Sequence, residues 1–246
     1  MSDDAMVELH NVGKRFKRFD HPPFLLRNFL RRVVGRGVPE RDFWPIRGVT
    51  ATIRRGETVA LVGRNGSGKS TLLRLIAGAA YPNEGYIATR GRIAPLLQLG
   101  AGFQPDMTGR ECVRLNGVAL GLTPAIVDER LPRMAAFAEL EDFLDTPVRY
   151  YSSGMLARLG FSVAIHTEPD LLLVDEVLAV GDAAFQAKCL AKIDELRASG
   201  VTIFFVSHDA PSVRSLCQRA LLLANGRLEI DGPVEEVLAR YQEMSA

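Results

Sequence analysis

One short segment constrains the fold of this chain more than any other feature of its sequence. Residues 63–70 are Gly-Arg-Asn-Gly-Ser-Gly-Lys-Ser, which fits the pattern GxxxxGK[ST] between a predicted strand and a predicted helix. The glycines let successive backbone N–H groups turn toward phosphate oxygens, and the helix N-terminus adds positive potential there. The segment therefore predicts a nucleotide phosphate site in an α/β domain.

Two side chains of this loop have distinct predicted roles. Lys69 supplies a compact positive charge for the β- and γ-phosphates, and the Ser70 hydroxyl is a ligand for Mg²⁺. The full set predicted to bind the nucleotide here is Gly63, Arg64, Asn65, Gly66, Ser67, Gly68, Lys69, Ser70 and Thr71.

Acidic and basic side chains that are candidates for metal binding and catalysis follow two other predicted strands. Asp175 and Glu176 end the apolar run Leu171–Val174, and His208 follows the run Val201–Val206. The carboxyl ends of parallel strands line the ligand crevice, so Asp175 is predicted to reach Mg²⁺. Glu176 is predicted to orient or deprotonate the attacking water, and His208 to contact the γ-phosphate.

Composition excludes several other classes of protein. The 30 basic and 29 acidic residues leave a net charge of +1, which argues against nucleic acid held by bulk charge. The three cysteines form no CxxC pair, so neither a disulfide scaffold nor a cysteine zinc module is expected. No apolar run approaches the ~18 residues of a spanning helix, and the acidic N-terminus is unlike a signal peptide. We therefore expect a chain in the cytosol.

The composition of residues 17–45 differs from that of the rest of the chain, because arginines alternate with aromatic and leucine side chains and prolines interrupt the segment. Leu25–Val34 is predicted to form a short basic amphipathic helix. Two interpretations stay open: a solvated insertion that packs its apolar face on the domain, or a contact with a membrane surface or partner. Further along, apolar strands that alternate with helices predict a parallel sheet, and Asn225-Gly226 predicts a type I′ hairpin turn.

The sequence Tyr151-Ser152-Ser153-Gly154-Met155 resembles the signature motif LSGGQ of ATP-binding cassette (ABC) ATPases. Ser152 and Gly154 match the motif, whereas Tyr151, Ser153 and Met155 depart from it. In that family the motif forms an anion site at a helix N-terminus and faces the γ-phosphate bound to the other subunit. The resemblance thus implies a head-to-tail dimer of two copies that encloses two ATP molecules, with Ser152, Ser153, Gly154 and Met155 acting across the interface.

The resemblance covers essentially the whole chain and implies further roles. Gln98 stands at the position of the family's Q-loop and would sense Mg²⁺ and the water, and Asp182 matches the acid of the D-loop. His208 matches the switch histidine. Phe16 is placed as the aromatic that stacks on adenine, with Phe19, Phe43 and Trp44 as competitors. The implied cofactors are ATP and Mg²⁺.

Four stretches make the chain similar to the ATPase subunits that export bacterial polysaccharides of the O-antigen, capsule and teichoic-acid types; they are residues 99–103, 108–111, 151–155 and 175–182. The implied fold is a single α/β P-loop cassette over residues 1–246. It combines a mostly parallel core sheet, an antiparallel β subdomain and an inserted helical subdomain at about 102–166. The implied partner is a polytopic membrane channel, at the cytoplasmic face of the inner (plasma) membrane. Because no C-terminal carbohydrate-binding domain follows, direct glycan binding is not expected.

Two alternatives share the same catalytic residues. One is the ATPase subunit of an importer, and the other is a soluble ABC ATPase that remodels a cytosolic machine. Ribosome-acting members usually join two cassettes in one chain, and DNA-acting members carry a coiled coil longer than residues 102–149. No nucleic-acid partner is therefore expected.

Overall fold

The computed structural model describes residues 4–19, 40–97, 99–100, 102–175, 181–207 and 209–244. Its strands are β1 (Ala5–Phe19), β2 (Glu40–Arg54), β3 (Thr58–Val62), β4 (Glu84–Thr89), β5 (Ile93–Leu96), β6 (Leu171–Val174), β7 (Thr202–Val206), β8 (Arg219–Ala224) and β9 (Arg227–Pro233). Its α-helices are α1 (Lys69–Ile76), α2 (Gly109–Ala119), α3 (Pro124–Ala138), α4 (Ser153–Ile165), α5 (Ala183–Ala198), α6 (Ala210–Leu216) and α7 (Val234–Glu243). Short 3₁₀ turns occupy Glu141–Phe143 and Val148–Tyr150.

A six-stranded sheet forms the centre of the fold, in the order β5-β6-β7-β3-β8-β9. The first five strands run parallel, and β9 returns antiparallel to β8. Every residue of β3, β6 and β7 is buried. The apolar runs therefore form a parallel sheet covered on both faces, as the sequence predicted.

The two faces of β3 belong to different apolar clusters because side chains alternate along a strand. Ala60 and Val62 pack with Phe161 and Phe185 of α4 and α5. Val59 and Leu61 pack instead with the leucines of α1 and with β1 and β2. The strand that precedes the glycine-rich loop is thus held firmly from both sides.

A three-stranded antiparallel sheet, in the order β2-β1-β4, forms the predicted β subdomain. β1 and β2 pair from Ala5 opposite Arg54 to Phe19 opposite Glu40. Residues 17–19 and 40–45 are consequently strand, so the segment between the strands is shorter than the expected insertion over 17–45. The predicted helix Leu25–Val34 lies outside the described residues.

The helical subdomain consists of α2, α3 and α4 around a core of its own, which includes Cys112, Met134 and Leu159. α2 begins with a capping box in which Thr108 and Glu111 exchange hydrogen bonds. α3 begins at Pro124 after the cap Thr123, as predicted. Among the described residues, no helix combines the length and the apolar character that crossing a membrane requires.

Candidate nucleotide-binding site

The glycine-rich loop connects the carboxyl end of β3 to the first turn of α1, which begins at Lys69. The Lys69 side chain is only 8% exposed and folds back over the loop. Its Nζ donates hydrogen bonds to the carbonyl oxygens of Gly63 at 2.7 Å and Arg64 at 3.2 Å. The loop therefore holds its lysine charge inside its own curve, where phosphate oxygens would approach.

Two neighbouring segments hold the loop in place. The N–H of Gly226 donates to the carbonyl of Ser67 at 3.1 Å, and the N–H of Arg47 donates to the carbonyl of Gly226 at 2.8 Å. Asn225 and Gly226 have φ angles of 47° and 76°, which the predicted type I′ turn requires. The hairpin turn between β8 and β9 thus links the loop to β2.

A cavity of about 290 Å³ opens over the loop. It is lined by Phe43, Pro45, Asn65, Gly66, Gly68, Lys69, Ser70, Thr71 and Asp175. The cavity brings the Ser70 hydroxyl and the Asp175 carboxylate, from separate elements, to one site together with the lysine. Hydroxyl and carboxylate oxygens are the ligands that Mg²⁺ prefers, and one carboxylate suffices where phosphates supply other ligands.

The lining also includes two residues of β2: Phe43, one of the predicted competitors of Phe16 for the adenine ring, and Pro45, for which no role was predicted. The sequence feature that points to both residues is the aromatic pair Phe43-Trp44 directly before a proline and an apolar strand. Phe16, the residue predicted to stack on adenine, is the β1 partner of Phe43 but does not line the cavity. Instead the Lys14 Nζ lies 5.4 Å from the centroid of the Phe16 ring.

Three of the loop residues predicted to bind the nucleotide, Gly63, Arg64 and Ser67, do not line this cavity. Arg64 and Ser67 line a second cavity of about 310 Å³ against α7. The Arg64 Nη1 donates to the Met244 carbonyl at 3.5 Å. The Ser67 hydroxyl is buried and finds no hydrogen-bond partner within the described part of the chain.

The residues of the signature-like motif lie at the start of α4. Ser152 is the N-cap and accepts a hydrogen bond from the Met155 N–H at 3.1 Å, and Ser153 is the first helical residue. Ser152, Gly154 and Met155 line a cavity of about 320 Å³ together with residues that include Arg158 and Gly181. This cavity shares no lining residue with the one over the glycine-rich loop.

Asp182 caps α5 and accepts a hydrogen bond from the Phe185 N–H at 2.9 Å. That bond, aided by the Arg158 guanidinium 2.8 Å away, holds the pKa of Asp182 below its usual range. The predicted catalytic residues Gln98, Glu176 and His208 lie outside the described residues.

The family described as ABC transporter matches residues 46–179, which is more than half of the chain. The chain belongs to the ABC transporter family. It is therefore an ATP-binding cassette ATPase, as the motifs predicted.

This ABC chain is 43% identical to the O-antigen export system ATP-binding protein RfbB of Klebsiella pneumoniae, over 99% of this chain and 100% of that protein. It is 37% identical to the teichoic acids export ATP-binding protein TagH of Listeria monocytogenes serotype 4b, over 95% of this chain and 70% of that protein. Among solved structures, the ATP-binding cassette MJ0796, a dimer in a post-hydrolysis state bound to ADP and Pi, has a TM-score of 0.73 at 23% identity. That match covers 93% of this chain and 99% of the other. The structural likeness supports the cassette fold.

Proposed function

We propose that this chain is the ATP-hydrolysing subunit of a bacterial exporter of polysaccharide, of the O-antigen or teichoic-acid class. The observation that carries the proposal is the 43% identity to an O-antigen export ATP-binding protein along its entire length. The similarity to a teichoic acids export protein supports the same class of cargo. A polytopic membrane channel at the cytoplasmic face of the plasma membrane is the partner that such a subunit requires.

The separation of the two cavities supports a two-copy mechanism. Lys69, Ser70 and Asp175 line one cavity, and Ser152 and Gly154 line another that shares no residue with it. In a head-to-tail dimer the cap of α4 in one copy would face the phosphates held by the loop of the other. MgATP then binds both copies and favours the closed state, because only that state offers both sets of contacts.

Ser70 and Asp175 are the residues that would hold Mg²⁺, which neutralises phosphate charge when bound. Within the described residues there is no group of three or more His, Cys, Asp or Glu side chains that would hold a metal by itself. A magnesium ion here would accordingly depend on the nucleotide for ligands. We keep Glu176, His208 and Gln98 as the residues that orient the water and sense the γ-phosphate.

The experiment is a pull-down from detergent-solubilised native membranes with tagged Glu176→Gln chain and MgATP. We expect the variant to hydrolyse no ATP, to run as a dimer with MgATP, and to bring down one polytopic membrane protein in stoichiometric amount. Lys69→Ala is the matched control, since it should bind no ATP and should not dimerise. Normal hydrolysis by Glu176→Gln, or recovery from the soluble fraction alone, would refute the proposal.

A further inference from the structure

The second cavity, with a volume of about 310 Å³, lies between the glycine-rich loop and the end of α7. Its walls are loop residues 64–67, residues 222–225 at the end of β8 and in the hairpin turn, and Tyr241 and Met244. Pockets that hold small organic ligands have volumes of about 300 Å³ and more, and they combine apolar walls with a few polar groups. This cavity has the size and the mixed lining of such a pocket.

The apolar part of the lining belongs to the central core. Leu222 and Ala224 are buried, and Tyr241 and Met244 pack against the apolar cluster on the same face of the sheet. The Tyr241 ring therefore has a fixed place in the wall, where a flat apolar group packs favourably against it.

The polar part of the lining carries a positive charge without a negative one to match it. Arg64 lines the cavity, and no acidic residue among those described does. Within the described part of the chain, the hydrogen bond to the Met244 carbonyl at 3.5 Å is the only polar contact of the Arg64 guanidinium. The buried Ser67 hydroxyl has no partner there. An arginine fork and an unpaired hydroxyl are donors that suit a carboxylate or phosphate group.

The tip of the loop, Asn65 and Gly66, lines both this cavity and the nucleotide cavity that Lys69 lines. A β-carbon on Gly66 would meet no atom within 4 Å, so packing does not fix the tip at that residue. A molecule in the second cavity therefore acts on the loop that binds the nucleotide phosphates. An anion there also offsets the Arg64 charge beside those phosphates, which lowers the affinity for ATP.

We propose that the second cavity is a regulatory site for a small amphipathic anion, a ring that carries one carboxylate or phosphate group, and that its occupant lowers the affinity of the chain for ATP. The anionic group pairs with the Arg64 guanidinium, and the ring packs on Tyr241 and Met244. Because coupling between two sites is reciprocal, ATP lowers the affinity for the anion by the same factor. The site lies within one copy and requires neither a dimer nor an exported cargo.

Calorimetric titrations of the full chain with benzoate and with phenyl phosphate test for the site, and benzyl alcohol is the neutral control compound. We expect an anion to bind one site per chain and benzyl alcohol not to bind, because it has no charge for Arg64. Binding of only one of the two anions supports the site and identifies its acid group as carboxylate or phosphate.

Titrations with ATP at rising concentrations of the anion separate a second site from simple competition. At a separate site the Kd for ATP rises to a plateau about fivefold above its value without anion, since the coupling between sites is finite. A Kd that instead rises in proportion to the anion concentration would place the anion in the nucleotide cavity and overturn the proposal.

Tyr241→Ala should weaken binding of the anion by about tenfold or more, because it removes the ring from the wall. It should also abolish the effect of the anion on the Kd for ATP. Tyr81→Ala is the matched control, since Tyr81 is 81% exposed and does not line the cavity. If Tyr241→Ala fails to fold by circular dichroism, Arg64→Met replaces it, because the Arg64 side chain is exposed.

Two further results would refute the site. One is the absence of saturable binding of either anion to the wild-type chain, and the other is equal binding of the anion by wild type and by the folded variant at Tyr241 or Arg64. Both results would leave the proposed exporter function intact, because the pull-down with MgATP does not involve this cavity.

Discussion

Gly68 packs against Ile46 so closely that no side chain fits between the glycine-rich loop and β2. A β-carbon on Gly68 would lie 2.5 Å from the Ile46 Cγ2 and would also meet the Pro45 carbonyl oxygen. Gly68 in addition has a φ angle of 109° as the N-cap of α1. The shape of the phosphate-binding loop therefore depends on a strand of the antiparallel sheet.

Gly68→Ala should lower ATP affinity at least about tenfold more than Gly66→Ala does, a difference of about 1.4 kcal/mol. The added methyl group forces the loop away from Pro45 and Ile46. Gly66→Ala is the control, because Gly66 also has a positive φ of 82° but a β-carbon there meets nothing within 4 Å. It should cost only the backbone strain, about 1–2 kcal/mol. Equal losses of affinity in calorimetric titrations would contradict a role for the contact with β2.

Phe43→Ala should weaken ATP binding by about 1–3 kcal/mol, the usual contribution of a stacked base. Phe43 lines the cavity with Pro45 and Lys69, whereas Phe16 does not. Phe16→Ala should therefore have the smaller effect. Trp44 is the only tryptophan of the chain and neighbours Phe43, so its fluorescence reports binding in both variants. A larger loss in Phe16→Ala would assign the adenine contact to Phe16 instead.

Arg219→Met should lower the free energy of unfolding by about 1.5–3 kcal/mol, since it removes several hydrogen bonds to carboxylates. Arg219 bonds Asp231 at 2.6 and 2.7 Å and Glu57 at 2.9 Å; the side chains of Arg219 and Glu57 are 22% and 20% exposed, and that of Asp231 is 30% exposed. Arg15→Ala removes an exposed pair with Asp42 and should change stability by less than about 1 kcal/mol. Urea melts compare the two variants, and equal midpoints would disprove the distinction.

The three cysteines should resist thiol reagents in the native protein. Burial raises the pKa of Cys189 and of Cys217 to about 12 and also raises that of Cys112. The neutral thiols of Cys189 and Cys217 therefore dominate below about pH 12 in the folded state, while an unfolded thiol ionises at pH ~8.5. Ellman's reagent at pH 8 should detect no thiol in buffer and all three in guanidinium. Rapid reaction of a thiol without denaturant would rule this out.

The order of strands and helices was predictable because apolar runs and caps are local signals. Thr123-Pro124 predicted the start of α3, and Asn225-Gly226 predicted the hairpin turn between β8 and β9. Both predictions are confirmed. The lengths of β1 and β2 were not predictable, because Phe16 pairs with Phe43 across an intervening segment of prolines and arginines. Pairing over such a distance leaves no periodic pattern in either strand.

The residues of the candidate site likewise divide into those that a local sequence pattern predicted and those that it did not. The spacing of the loop motif and the apolar run before Asp175 predicted residues that line one cavity. The aromatic pair Phe43-Trp44 made Phe43 only one of several candidates, and the pair between Arg158 and Asp182 has no local signal, since both contacts depend on how distant elements pack. The predictions for Gln98, Glu176 and His208 remain predictions.

The central position of β3 has a consequence for how the chain matures on the ribosome. Both neighbours of β3 come after residue 200, because β7 begins at Thr202 and β8 at Arg219. The turn that holds Ser67 and Arg47 together is formed by Gly226. A nascent chain thus contains the whole loop motif long before it can bind a nucleotide, with an apolar strand still unpaired. A premature stop ahead of Gly226 would leave the motif intact and the binding site unmade.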